Sequence, residues 1–168
     1  MDVLINFFSE FGWQILLTGV VSYLLGSISF SILFTKKFDD KKDIRTMGSG
    51  NAGFTNVLRS VGKTPAILTM LGDFGKGVVA VGFGKFVFQG FAFWSEVPVS
   101  VVQYGAYFAG ACCLLGHIYP CYFGFKGGKG VLTTSAMMLL LDWRVFLIEI
   151  AVFGLVFLLS LIHISACR

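Results

Sequence analysis

Two short glycine-rich stretches contain the residue types that hold a phosphate group. The first glycine loop is GSGNAG at residues 48–53, and the second glycine loop is FKGGKG at residues 125–130. Glycine lets backbone N–H groups converge on an anion, and lysine adds a mobile positive charge. The two loops therefore predict a phosphate-holding protein, provided that the fold brings them to one side.

The side chains in and after the first loop suit the same chemistry. Ser49, Asn51 and Asn56 offer hydrogen bonds, and Arg59 can bind an anion through two parallel N–H groups. Gly-Ser-Gly-Asn alone is also typical of an ordinary turn, so the pattern is weak by itself. The second loop lacks the Walker A pattern and gives no support for nucleotide hydrolysis, but its lysines and glycines still favour phosphate.

The rest of the chain has the composition of a membrane protein. Of its 168 residues, 56% are hydrophobic and only 13% are charged, and the mean hydropathy is +0.82. We predict one all-α domain over residues 1–168, a bundle of about five crossing or half-crossing helices, since a span needs about 20 apolar residues. The four cysteines show no paired metal-ligand spacing, so we expect neither a metal nor another cofactor.

The first predicted span fixes the orientation of the chain. Residues 11–34 contain no charge, and Trp13 is placed to anchor the helix at the interface. We interpret this segment as a retained helix with its N-terminus outside. Residues 35–63 then contain seven lysines and arginines against three aspartates, which makes this segment cytoplasmic by the positive-inside rule. These positive charges can also have no role other than to set the orientation of the chain in the membrane.

Two further spans bring the second loop to the same side. The second, residues 65–87, contains Asp73 and Lys76 on one helix face, where charges are costly in a membrane. An ion pair between these two residues that joins the helix to its neighbours explains them as well as a functional role does. After an outside loop with Trp94 and Glu96, the third span, residues 99–119, returns the chain to the cytoplasm.

The apolar stretch after the second loop is too short to cross a bilayer upright. Residues 131–141 predict a half-helix whose N-terminus, with its dipole and unpaired N–H groups, points at any anion bound by the loop. The final apolar run, residues 145–164, contains Glu149. That carboxylate needs a partner or a position near the membrane surface.

Six separated segments form a specific combination: YLLGSI at 23–28, DIR at 43–45, residues 48–59, LGDFGKG at 71–77, GHIYP at 116–120 and residues 125–131. In this order they together resemble the PlsY family of bacterial acyl-phosphate:glycerol-3-phosphate acyltransferases. The resemblance covers about residues 15–158. It implies a multi-pass enzyme of the bacterial plasma (inner) membrane that transfers a fatty acyl group from acyl phosphate to the 1-hydroxyl of sn-glycerol 3-phosphate. The products would be lysophosphatidic acid and phosphate, in the first step of phospholipid synthesis.

The resemblance also implies roles for individual residues. Ser49, Arg59 and Lys129 become the catalytic candidates. The phosphate-binding candidates are Gly48, Gly50, Asn51, Asn56, Arg45, Lys126, Gly127, Gly128 and Gly130. No His–Asp arrangement is visible to activate Ser49 as a nucleophile, so we expect catalysis by positioning and charge stabilisation.

Three further residues are candidates for structural or secondary roles: His117, Asp73 and Lys76. The imidazole of a histidine can take up and release a proton, which makes His117 a candidate general base, but its place at a helix end beside glycine and proline also suits a structural hydrogen bond. The expected partners are glycerol 3-phosphate, fatty acyl phosphate, membrane lipid and a cytosolic enzyme that produces acyl phosphate. No nucleic-acid partner is expected.

The sequence departs from the family pattern at several positions. Ser29 stands where a proline is usual, and Phe54 and Leu132 replace small residues. The family's closing Arg-His-x-x-Asn motif is not matched around His163. We hypothesise that about residues 159–168 are not native and that the domain is incomplete at its C-terminus. If the truncation is real, we expect little or no activity.

Other function classes fit part of the sequence. A small membrane transporter or channel for an anionic solute would also use glycine-broken helices and charges at membrane depth. An inactive acyltransferase fragment would keep the same loops. A membrane scaffold would leave both glycine loops unexplained, and a CDP-alcohol transferase would need a cluster of metal-binding aspartates that this sequence lacks.

Overall fold

The protein is a helical bundle in a computed structural model that describes residues 2–40, 42–90 and 98–166. Its helices are α1 (Asp2–Gly26), α2 (Phe30–Phe38), α3 (Phe54–Ser60), α4 (Lys63–Gly90), α5 (Val99–Ile118), α6 (Val131–Leu141) and α7 (Trp143–Ala166). Short 3-10 turns occupy Ile44–Thr46 and Cys121–Phe123. The described ranges contain no strand, and the predicted all-α class is confirmed. The predicted outside loop with Trp94 and Glu96 lies outside the described residues.

Within the described residues, three helical segments are long and apolar enough to cross a membrane. They are Glu10–Phe38, Lys63–Gly90 and Val99–Phe123. The bounds of the second and third agree with the predicted spans to within a few residues at each end. The end of α7 at Ala166 places most of the hypothesised non-native segment, residues 159–168, within a helix.

The predicted first span, residues 11–34, lies within the candidate span Glu10–Phe38, but it is not one continuous helix. Helix α1 ends at Gly26, and α2 begins only at Phe30. Two backbone carbonyls in this break, those of Gly26 and Ile28, accept hydrogen bonds from Lys76 Nζ at 3.0 and 2.9 Å. A helix can open at membrane depth where other protein groups satisfy the freed carbonyls, and here a lysine of α4 does so.

Helices α1 and α5 pack with their backbones in contact. A Cβ atom on Gly26 would overlap the carbonyl of Cys113, and one on Gly116 would overlap the carbonyl of Tyr23. Glycine at such crossings lets membrane helices approach closely, where dispersion forces drive association. This contact places the end of α5, and therefore the start of the second loop, beside the break after α1.

The predicted half-helix is confirmed with the same bounds, Val131–Leu141. At about 1.5 Å per residue its 11 residues reach about 16 Å, roughly half of a bilayer core. Thr133 Oγ1 donates to the carbonyl of Asp73 at 3.1 Å, and Lys85 Nζ donates to the carbonyl of Leu140 at 3.0 Å. Helix α4 therefore holds α6 near both of its ends.

Glu149 on α7 has the partner that its position requires. Ser135 on α6 donates its hydroxyl to Glu149 Oε1 at 2.6 Å. A charge-assisted hydrogen bond is a strong way to join two apolar helices. It connects α7 to the half-helix.

Candidate active site

The side chain of Asn56 holds the first glycine loop in shape through hydrogen bonds to backbone groups. This side chain is only 3% exposed, and its amide nitrogen donates to the carbonyls of Ile44, Met47 and Asn51 at 3.1, 2.9 and 3.0 Å. Its amide oxygen accepts from the backbone N–H of Ser49 at 3.0 Å. The amide of Asn56 thus supports the loop, and a direct contact with phosphate stays a prediction.

The turns of the first loop require glycine. Gly48 and Gly50 have φ values of +54° and +70°, in the left-handed region that favours glycine. A Cβ on Gly48 would also overlap the amide oxygen of Asn56. Ser49 lies exposed between these turns, and within the described part of the chain its hydroxyl has no hydrogen-bond partner.

Arg45 joins the two loops. Its guanidinium forms a bidentate pair with Asp43, with Nη2–Oδ2 at 2.7 Å and Nε–Oδ1 at 3.1 Å. Its Nη1 also donates to the carbonyl of Phe123 at 2.5 Å and to that of Lys126 at 3.2 Å. Arg45, predicted to bind phosphate, therefore already bonds to the backbone around the second loop.

The same pair fixes the charges at this junction. The hydrogen bond from Arg45 lowers the pKa of the Asp43 carboxyl below its ordinary value, against a smaller opposing effect of burial. In turn, the carboxyl of Asp43 raises the pKa of the Arg45 guanidinium. Both groups are therefore ionised at neutral pH.

Gly128 lies directly between the first loop and the end of α5. A Cβ at this position would overlap the carbonyl of Ala52 and would lie 2.5 Å from Nε2 of His117. The backbone N–H of Gly128 donates to the carbonyl of His117 at 3.2 Å, and that of Gly127 donates to the carbonyl of Ile118 at 3.0 Å. The two glycine loops are therefore in contact.

Helix α6 begins at the second loop, as predicted. Gly130 has φ +78° and accepts at its carbonyl from the N–H of Thr134 at 2.8 Å, while the helix starts at Val131. The N–H groups of a first helical turn have no intrahelical partner, and the helix dipole makes this end positive. The loop and the helix end together form a concentration of backbone donors.

Four exposed side chains lie in or near these loops without a partner. Within the residues that the structure describes, no hydrogen bond or ion pair engages the side chains of Ser49, Arg59, Lys126 and Lys129. One hydroxyl and three cations beside glycine backbone can receive anionic groups. Arg59 lies in the last turn of α3, and no hydrogen bond or ion pair in the described part joins its guanidinium to either loop.

Asp73, Lys76 and His117 form a separate, buried cluster. Lys76 Nζ lies 3.0 Å from Asp73 Oδ1, and His117 Nδ1 lies 3.6 Å from the same oxygen. No group of three or more His, Cys, Asp and Glu side chains in the described ranges is arranged to hold a metal ion.

The sequence did not reveal how the loops are joined. Asp43 was not among the predicted site residues, although its place two residues before Arg45 is a usable signal because such pairs close tight loops. The carbonyl of Ala52, against Gly128, had no signal in the sequence. A backbone carbonyl becomes a partner only through the fold.

A family model described as glycerol-3-phosphate acyltransferase matches residues 16–166. The chain belongs to this family. A glycerol-3-phosphate acyltransferase of Pseudomonas paraeruginosa is 42% identical over 144 residues, which cover 86% of this chain and 69% of the relative. One from Cereibacter sphaeroides is 42% identical over 133 residues, which cover 79% of this chain and 59% of the relative.

Two crystal structures of the integral membrane glycerol 3-phosphate acyltransferase PlsY have the same fold. The glycerol 3-phosphate form matches with a TM-score of 0.68 and 36% identity, and the lysophosphatidic acid form with a TM-score of 0.66 and 35% identity. Each match covers 86% of this chain, and it covers 66% and 65% of the respective PlsY chain. This chain thus spans about two thirds of the length of PlsY.

Proposed function

We propose that this acyltransferase family member transfers a fatty acyl group from acyl phosphate to the 1-hydroxyl of sn-glycerol 3-phosphate. The hydroxyl oxygen attacks the acyl carbon, and the bond from that carbon to the phosphate oxygen breaks. The products are 1-acyl-glycerol 3-phosphate, which is lysophosphatidic acid, and inorganic phosphate. The hydroxyl proton leaves with a substrate phosphate oxygen, so the balance requires no further reactant.

The contact between the two glycine loops is the observation that supports this proposal most. Gly128 lies against the carbonyl of Ala52, and Arg45 bonds to the backbone at Phe123 and Lys126. Because both substrates contain phosphate, a site that orients them needs donors from more than one direction. Adjoining loops with exposed Ser49 and Lys129 supply such donors.

Each group has a definite task in the proposed reaction. The second loop and the start of α6 hold a phosphate through backbone N–H groups, and Lys126 and Lys129 balance its charge. Ser49 orients the glycerol or phosphate oxygens, and Arg59 stabilises negative charge as the acyl bond breaks. The rate enhancement then comes from positioning and preorganised charge rather than from a covalent intermediate.

The position of the loops also suits a lipid substrate. Tyr119, Tyr122, Phe125 and Val131 are exposed around the second loop, where α5 ends and α6 begins. A fatty acyl chain can lie against such side chains while its phosphate enters the loop. We infer a multi-pass protein of the bacterial plasma membrane, with an outside N-terminus and both loops in the cytoplasm, where a cytosolic enzyme can deliver acyl phosphate.

A donor-comparison assay tests the function. Purified protein in lipid receives glycerol 3-phosphate with acyl phosphate, acyl-CoA or acylated carrier protein, and lysophosphatidic acid is measured. We expect product with acyl phosphate alone, and losses of about a hundredfold or more in Ser49→Ala and Lys129→Ala, because each removes a preorganised polar contact. Lys37→Ala, an exposed lysine on α2, serves as the matched control and should keep wild-type rates.

Three results contradict the proposal. Product from acyl-CoA but not from acyl phosphate would assign a different donor. Vesicle flux of an anion without acyl transfer would favour the transporter alternative. Retained binding of glycerol 3-phosphate without turnover from any donor would favour an inactive member of the family.

A further inference from the structure

A buried charged cluster lies directly behind the second glycine loop. Asp73, Lys76 and His117 are only 2%, 3% and 6% exposed. Ionisable groups at membrane depth are costly and usually face the interior of the bundle for a functional reason. The proposed reaction uses none of them to touch a substrate.

Lys76 has its full set of partners in this cluster. Its ammonium donates to the carbonyls of Gly26 and Ile28 and lies 3.0 Å from Asp73 Oδ1. An ammonium has three donors, so these three oxygens satisfy it. Lys76 therefore holds the break between α1 and α2 and neutralises Asp73.

Asp73 and His117 face each other without a hydrogen bond. Asp73 Oδ1 is engaged by Lys76 Nζ at 3.0 Å, whereas the buried His117 Nδ1 has no hydrogen-bond partner in the described part of the chain and lies 3.6 Å from the same oxygen. Buried polar atoms normally have partners, and a small shift of the ring would bring Nδ1 within hydrogen-bond distance of Asp73. A proton on Nδ1 directed at Asp73 fixes the orientation of the imidazole ring.

The other edge of the same ring supports the second loop. Its Nε2 would lie 2.5 Å from a Cβ on residue 128, and the same Cβ would overlap the carbonyl of Ala52. The backbone carbonyl of His117 also accepts from Gly128 N–H at 3.2 Å. A rotation or shift of the imidazole would therefore move Gly128 relative to the first loop.

We propose that His117, oriented by Asp73, is a positioning residue that seats the second glycine loop against the first. It acts through Gly128 and not by contact with a substrate. The inference rests on the proposed function, because the affected quantity is the use of glycerol 3-phosphate. Seating the loop sets the spacing of the phosphate donors, so its loss weakens substrate capture more than it slows the chemical step.

Kinetic variants separate positioning from a merely structural role. In folded His117→Ala and Asp73→Asn proteins, we expect KM for glycerol 3-phosphate to rise about tenfold, the equivalent of one lost hydrogen bond to a charged group, while kcat changes less. Because the two residues act through one contact, the double variant should be no worse than the more impaired single variant. His117→Gln, which can place an amide nitrogen near the Nε2 position, should recover part of the loss.

Controls keep a failure of folding distinct from a failure of the inference. Cys112 lies half-buried on α5, the helix that contains His117, and it faces α1 near Gly19. The Cys112→Ala protein should therefore have the wild-type KM. If His117→Ala does not fold, the folded His117→Gln protein is compared instead. An unchanged KM in a folded His117 variant, or additive effects of the His117 and Asp73 substitutions, would overturn the inference.

Calorimetric titration of glycerol 3-phosphate distinguishes this inference from the proposed reaction. Weaker binding in the His117 variants, without turnover in wild type, would support positioning while contradicting the reaction. Normal turnover in wild type with unchanged binding in the variants would support the reaction and contradict the positioning role of His117.

Discussion

The two glycine loops obtain their shapes in different ways. The first is braced by the side chain of Asn56, which bonds to backbone groups between Ile44 and Asn51. The second has no such brace among the described residues and depends on the end of α5, on Arg45 and on the first loop. The first loop is thus a local structure, whereas the second is set by its neighbours. Substitutions at the shared junction should therefore harm function more than loss of either support alone.

The largest expected effect is at the junction itself. In Gly128→Ala the new Cβ would meet the carbonyl of Ala52 and the ring of His117, and a backbone carbonyl cannot move aside cheaply. We expect a fall in kcat/KM of about a hundredfold or more, because small displacements of catalytic groups have effects of this size.

Gly82→Ala is the matched control for that substitution. Gly82 lies within α4 with no atom within 4 Å of a new Cβ. Activity should be unchanged, and thermal unfolding should shift upward by the equivalent of about 0.5–1 kcal/mol. Wild-type turnover in Gly128→Ala would show that the loops do not need this contact.

The second largest effect is expected when the Asn56 side chain, which braces the first loop, is removed. Asn56→Ala removes the partner of the Ser49 N–H and one of the bonds to each of the carbonyls of Met47 and Asn51, which keep the N–H groups of Gly50 and Gly53. We expect a loss of about 3 kcal/mol of stability, since each hydrogen bond contributes about 0.5–1.5 kcal/mol and an N–H left unpaired costs more. Thermal unfolding with parallel rate measurements checks this, and kcat should fall as Ser49 loses its position. A stable, active Asn56→Ala protein would contradict a local brace.

The Asp43–Arg45 pair and the bonds from Arg45 to the carbonyls of Phe123 and Lys126 form a clamp on the second loop. Loss of this clamp should have a smaller effect, centred on the second loop. Arg45→Lys keeps the charge but not the bidentate pair or both carbonyl bonds, so we expect kcat/KM to fall about tenfold. Asp43→Asn should lower it in the same direction. If Arg45 instead serves by touching substrate phosphate, Asp43→Asn would release the guanidinium and raise activity, which rate measurements would detect.

The smallest effect concerns pH. The folded-state pKa of Asp43 is lowered by Arg45, so its contribution to stability is present above the ordinary carboxyl pKa of about 3.9 and is lost as the pH falls through the lower folded value. The clamp should therefore be intact between about pH 5 and 8. Unfolding curves of wild type and Asp43→Asn should differ by a constant amount over this range and converge only in stronger acid. If the stabilities of wild type and Asp43→Asn already converged near pH 6, the lowered pKa of Asp43 would be contradicted.

Local patterns in the sequence predicted much of the fold. Both ends of the half-helix Val131–Leu141 could be predicted, because a glycine precedes it and an aspartate follows it. The second and third spans followed from hydropathy alone. The break after Gly26 could not be predicted, because its carbonyls are satisfied by Lys76, which lies 50 and 48 residues away in sequence.

The sequence predicted the two loops of the candidate site, but it did not predict the contacts that join them. Glycines with positive φ, such as Gly48 and Gly130, follow from residue type. The bonds from Arg45 to Phe123 and Lys126 cross 78 and 81 residues, and the partners are backbone carbonyls that every residue has. Residue types therefore identify donors, while the acceptors that fix them emerge only with the tertiary structure.

A crystal structure of this chain in lipid with glycerol 3-phosphate bound would show whether both loops hold one substrate. We expect one headgroup at the junction, with its phosphate on the backbone N–H groups of residues 126–130 and a polar contact from Ser49 or Arg59. A headgroup held by one loop alone, or loops separated at Gly128 and Ala52, would contradict it.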